Sequence, residues 1–139
     1  MIDLLVSGAL IVLLDQGSKA MVQAHASGRV ISFAPVFRIR RVRTVRQVYG
    51  TENARALLVL IWLTAFLSAV ILHSSTERIQ GHIAVIGLGS ALGGAAGNLL
   101  DILRRRFVLD FIDLGWWPVF NLADVAIVGG LVLALWPRA

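Results

Sequence analysis

Residues 83–100 read IAVIGLGSALGGAAGNLL, 18 residues without a charge, and Asp101 follows directly. That length approaches the ~20 apolar residues that cross a bilayer core as a helix. Gly89, Gly93, Gly97 and Asp101 recur at every fourth position and fall on one helical stripe. Ser90, Gly94 and Asn98 form a second stripe beside it. Small residues at this spacing let a neighbouring helix approach closely within a membrane. Asp101 continues the packing stripe and is expected to face protein rather than lipid.

The rest of the chain fits the same class. Ala56 to Leu72 is a second uncharged run, of 17 residues, and the 139 residues are 58% hydrophobic and 15% charged. Soluble chains have about 45–50% and 25%, and the mean hydropathy here is +0.81. The pattern predicts an all-α membrane protein: a four-transmembrane-helix bundle in a single domain, with helices about 2–25, 53–73, 81–101 and 118–137. Pro118 suits a first helical position, and Trp116, Trp117 and Trp136 suit the membrane interface. The first apolar stretch has no preceding Lys or Arg, and Asp15 and Lys19 lie between it and the small-x-small site Ala24-His25-Ala26. A retained helix is therefore favoured over a cleaved signal peptide. Between the first two helices, residues 27–52 mix Arg with Val, Ile and Phe in near-alternation. This predicts a small amphipathic β-cradle on the membrane surface.

Composition also excludes function classes. With no cysteine there is no disulfide, thiolate metal site or cysteine nucleophile, and His25, His73 and His82 form no ligand motif. No metal or other cofactor is expected. The net charge of +5 comes mostly from arginine. In so apolar a chain that charge points to phospholipid headgroups rather than nucleic acid. Four crossings place the first and third connections on one side, and these hold ten of the arginines, Arg29 to Arg55 and Arg104 to Arg106. Charge alone would put that side in the cytoplasm.

Carboxylates at membrane depth are costly and point to function. Asp101 ends one predicted helix and Asp124 begins the next at the same boundary, so the two can meet. Paired carboxylates share a proton. One then deprotonates water while the other hydrogen-bonds a carbonyl oxygen, as aspartic proteolysis requires. Asn98, and Asn121 three residues before Asp124, can orient the pair. Asp15 and Lys19, four apart, are expected to form an ion pair holding the first helix to the bundle. Ser18 and Lys19, as helical neighbours, point about 100° apart, against a Ser/Lys nucleophile. Asp110 and Asp113 fall in the third connection, where they are expected to fix the loop or pair with arginine.

Asp15-Gln16-Gly17-Ser18-Lys19, the stretch from Gly93 to Asp101, Val108-Leu109-Asp110-Phe111-Ile112-Asp113 and Phe120-Asn121-Leu122-Ala123-Asp124 together resemble the lipoprotein signal peptidases (signal peptidase II). The resemblance implies an intramembrane aspartic endopeptidase cutting diacylglyceryl-modified prolipoproteins just before the modified Cys. It assigns catalysis to Asp101 and Asp124. It gives supporting or substrate-binding roles to Asp15, Lys19, Asn98, Asn121, Gly94, Gly97 and Asp110. It also implies a multi-pass protein of the bacterial cytoplasmic (inner) membrane, with its active site near the outer leaflet, opposite to the arginine count. A monomer suffices. Two departures stand out: residues 43–50 lack the family's Asn-x-Gly stretch, and Ile102 stands where Arg usually follows the Asp. They support an alternative, a non-proteolytic homologue binding lipidated peptides or peptidase inhibitors. A proton or ion relay through Asp101 and Asp124 is a third reading. Ala56 to Leu72, polar only at Thr64 and Ser68, gives it no continuous polar file.

Overall fold

A computed structural model describes residues 1–25, 30–34, 37–44, 52–75 and 81–136. Ala26, most of the stretch at 43–50, Arg78 and Arg138 lie outside these residues. The departure from the Asn-x-Gly pattern and part of the charge count therefore fall there too.

The elements run α1 (Ile2–His25), β1 (Ile31–Ala34), β2 (Phe37–Thr44), α2 (Glu52–Ser75), α3 (His82–Arg105), β3 (Val108–Asp113) and α4 (Leu122–Leu135). Helix α3 packs between α1 and α4, and glycine permits both approaches. A Cβ on Gly93 would lie 2.4 Å from the Gly8 carbonyl oxygen of α1. One on Gly87 would lie 2.6 Å from the Gly130 carbonyl oxygen of α4. The stripe of Gly89, Gly93 and Gly97 thus faces α1, and Gly94 faces α4. Helix α2 packs on α3, where the Trp62 indole N–H donates to the Leu92 carbonyl at 3.1 Å. Leu4, Ala69, Val85 and Leu92 form the apolar core between α1, α2 and α3. Outward from it, Leu57, Leu60, Ile61, Leu67 and Ile71 of α2 are exposed, as side chains facing acyl chains would be.

Helix α1 has the predicted limits, but α3 and α4 do not. Helix α3 continues one turn past Asp101 and stops at Arg106, which adopts the left-handed conformation at φ 62°. Helix α4 starts at Leu122 rather than Pro118. Residues before it are tied to β3: the Phe120 N–H donates to the Ile112 carbonyl, and the Phe120 carbonyl accepts from Phe111 and Ile112. Asn121 is the helix cap. Among the described residues, three helices are long and apolar enough to cross a membrane. Helix α4 has 14 residues, about 21 Å, short of the ~30 Å hydrocarbon core. The helix expected from about 118 starts four residues late, because backbone pairing of Phe120 with β3 holds its first turn open.

The cradle also differs from expectation. Its sheet has three strands in the order β1-β2-β3, all antiparallel. The third comes from the α3–α4 connection, whose sequence pattern is that of a loop. In β2–β3, Arg38 faces Asp113 and Arg43 faces Leu109, with a bulge between Ile39 and Val42. Phe111 of β3 packs with Val22 of α1, flanked by Ile39 and Ile112, which seats the sheet on the bundle. The pairing of β2 with β3 brings the first and third connections to one end, as four alternating helices require.

Asp113 anchors that pairing. It accepts from the Gly115 backbone N–H at 2.8 Å and pairs with Arg40 at 2.6 Å and Arg38 at 3.8 Å. The Gly115 hydrogen bond first, then the two guanidinium charges, hold its carboxyl below the usual carboxylate range, against the opposing effect of burial. A carboxyl with a depressed folded pKa contributes stability above its unfolded value near 3.9. That contribution fades as pH falls through the lower folded value. Melting followed from pH 6 to pH 3 should therefore show a smaller acid loss for Asp113→Asn than for the wild type. Parallel curves would remove this role.

Candidate active site

The polar centre lies where α1, α3, α4 and β3 meet. From α1, Asp15 and Lys19 lie one turn apart, and Nζ of Lys19 meets Oδ2 of Asp15 at 2.8 Å. Both are fully buried. Gly97 makes room for this carboxylate: a Cβ there would lie 2.6 Å from Oδ2 of Asp15. The other oxygen, Oδ1 of Asp15, accepts from the Ala123 N–H in the first turn of α4, at 3.1 Å. The expected ion pair is present, and it ties α1 to α4 as well as to α3. Ser18 donates to the Asp15 carbonyl, whereas the Lys19 ammonium is directed at Asp15, Asp101 and Asn98. They form no nucleophile pair.

Asp101 lies inside this cluster. Its Oδ2 meets Lys19 Nζ at 2.9 Å and accepts the Leu109 N–H at 3.2 Å; its Oδ1 meets Arg105 Nη1 at 2.6 Å and Gln16 Nε2 at 3.2 Å. It is fully buried. None of these partners is Asp124, the carboxylate that Asp101 is expected to meet. The extra turn of α3 places Arg105 four residues on, so both Asp101 oxygens are taken by cations and N–H donors. Arg105 supplies a guanidinium to Asp101 while Ile102 is buried. Gln16 and Arg105 were not singled out from the sequence as site residues, although the i, i+4 spacing of Arg105 from Asp101 was a signal.

Asp124 has different neighbours. Asn121 and Asp124 form a capping box: the Asp124 N–H donates to Asn121 Oδ1 at 3.0 Å, and the Asn121 N–H donates to Asp124 Oδ2 at 3.1 Å. Asn98 donates from Nδ2 to Asp124 Oδ1 at 2.9 Å. The Asn121 side chain donates to Oδ1 of Asp110 at 2.8 Å and to Oδ1 of Asn98 at 3.0 Å. One asparagine thus bonds both Asp110 and Asp124. Close approach of α4 depends on Gly94, where a Cβ would lie 2.5 Å from the Ala123 carbonyl oxygen. Asp110 is buried and Asp124 is partly open. A cavity of about 420 Å³ lies against Asp124, lined by Trp117, Phe120, Val125, Val128 and Gly129. Among the described residues there is no cluster of His, Cys, Asp and Glu able to hold a metal ion.

A family model for signal peptidase II matches residues 8–137. The chain belongs to the signal peptidase II family. Its relatives include the lipoprotein signal peptidase of Pelotomaculum thermopropionicum, 35% identical over 92% of this chain and 86% of that protein. The lipoprotein signal peptidase of Syntrophomonas wolfei is 36% identical over 91% and 85%. A bacterial membrane enzyme solved by the in meso method superposes with a TM-score of 0.80 over 98% of this chain and 94% of that one, at 20% identity. That likeness is of fold. As a signal peptidase II family member, the chain is a protease with several apolar helices.

Proposed function

We propose that the chain is an intramembrane aspartic endopeptidase that removes the signal peptide from diacylglyceryl-modified prolipoproteins, with Asp110 and Asp124 as the catalytic pair. The observation that carries the pairing is Asn121, which donates its side-chain amide to Asp110 and its backbone N–H to Asp124. Asp101 is a poor candidate, being neutralised by Lys19 and Arg105. The apolar cavity beside Asp124 offers space for a peptide segment arriving from the lipid, since Val125 and Val128 of its lining are exposed. In the reaction, the ionised member of the pair takes a proton from water as its oxygen attacks the scissile carbonyl. The protonated member hydrogen-bonds the carbonyl oxygen and later supplies a proton to the leaving amine. Asn98 and Asn121 hold the carboxylates in place.

The substrate class rests on the names of the relatives. In this reading the protein acts as a monomer in the bacterial cytoplasmic membrane with its polar centre near the outer leaflet. The arginines of β2 then lie at the level of phospholipid headgroups. Cleavage of a diacylglyceryl prolipoprotein by the purified protein tests the reading. Product cut immediately before the modified Cys is expected. Binding of the precursor without cleavage would favour the non-proteolytic alternative.

A further inference from the structure

Lys19 has three ammonium protons and three oxygen partners: Asp15 Oδ2 at 2.8 Å, Asp101 Oδ2 at 2.9 Å and Asn98 Oδ1 at 3.0 Å. The first two contacts, with the Arg105–Asp101 pair, balance two carboxylates against two cations. The third adds nothing to that balance. It reaches instead toward the proposed catalytic pair, because the Asn98 amide donates from its other end to Asp124 Oδ1 at 2.9 Å. An asparagine amide can be flipped, exchanging its donor for its acceptor. Here the flip is blocked from one side by groups that can only donate. Lys19 has no acceptor. Asn121 must present its own NH₂ group to Asn98, since its oxygen is taken by the Asp124 N–H. Asn98 therefore has to turn its oxygen toward Lys19 and its NH₂ toward Asp124.

We propose that Lys19 is a positioning residue for Asp124, acting through the Asn98 side-chain amide. The proposal rests on Asp124 being half of the catalytic pair. The ammonium orients the Asn98 amide, and the oriented amide holds Asp124 Oδ1 while the Asn121 N–H holds Oδ2, which together fix the plane of the carboxylate. Loss of the ammonium leaves Asn98 with a single donor at its oxygen, and the Asp124 carboxylate gains rotational freedom. The cost should fall on turnover, since substrate binding relies on the apolar cavity rather than on Asn98.

Lys19→Met alone would leave Asp15 and Asp101 facing one cation and can fail by unfolding. The informative variant is Lys19→Met combined with Asp15→Asn, which keeps Asp101 paired with Arg105. It is compared with Asp15→Asn alone, in which Lys19 still reaches Asn98. In cleavage of a diacylglyceryl prolipoprotein, the double variant should show kcat at least ~10-fold below that of Asp15→Asn. This lies within the ~100-fold that a misplaced reacting group can cost, and KM and melting temperature should agree between the two. A kcat within threefold of Asp15→Asn would overturn the proposal. So would a loss of kcat matched by a loss of folded protein, which would mark Lys19 as purely structural. Wild type and Asp124→Asn are run alongside. An inactive wild type would remove the protease reading and this proposal together, and an active Asp124→Asn would remove the Asp110/Asp124 pairing and this proposal with it. An active wild type, an inactive Asp124→Asn and an undiminished double variant would remove only the role of Lys19.

Discussion

Asp124→Asn is expected to abolish cleavage, lowering kcat at least ~1,000-fold, while the protein stays folded. The replacement keeps an oxygen that can accept the Asn121 N–H, so the cap on α4 survives in part. Loss of the negative charge at the helix N-terminus costs about 0.3–1 kcal/mol, a melting shift of only a few degrees for a chain of this size. An amide cannot take the proton of the attacking water, so no residual base function remains at this position. Circular dichroism melting beside the cleavage assay separates the two effects. Substantial turnover by Asp124→Asn would place the chemistry elsewhere.

Asp101→Ala should have the opposite signature, with stability lost first. The substitution strips Lys19 and Arg105 of their shared carboxylate and leaves the Leu109 N–H without its acceptor. Breaking a buried ion pair by removing one partner costs about 3–5 kcal/mol. In a chain of 139 residues that corresponds to roughly 10 °C or more in melting temperature. The damage extends to β3, whose start is held by the Leu109 contact, so the placement of Asp110 suffers with it. Any cleavage lost in this variant should follow the loss of folded protein. A variant that melts like the wild type would show that the buried cluster is not what secures α1, α3 and β3 to one another.

Much of this architecture was legible in local sequence. The limits of α1 and the glycine stripe of α3 follow from periodicity, since a helix uses neighbours three and four residues away. Asp15 and Lys19 were paired for the same reason. The shortfalls lie where distant segments meet. The run Val108–Asp113 is a strand because β2 offers it an edge, and its acidic residues hid that in the sequence. The same pairing, through Phe120, holds Pro118 out of α4. By sequence pattern Asp101 ends α3 opposite Asp124, the place of a catalytic carboxylate. One further helical turn brought Arg105 beneath it and made it part of an ion-pair cluster. Asp110, expected to fix the loop or pair with arginine, shares Asn121 with Asp124. Of the two aspartates nine residues apart, Asp101 is the one held by Lys19 and Arg105.

The most direct test of the catalytic pairing is Asp110→Asn. Its cleavage of a diacylglyceryl prolipoprotein should be measured at a folded fraction matched to the wild type. The account predicts no detectable turnover with near-wild-type melting, as for Asp124→Asn. An Asp110→Asn protein that cleaves at a rate comparable to the wild type would contradict it.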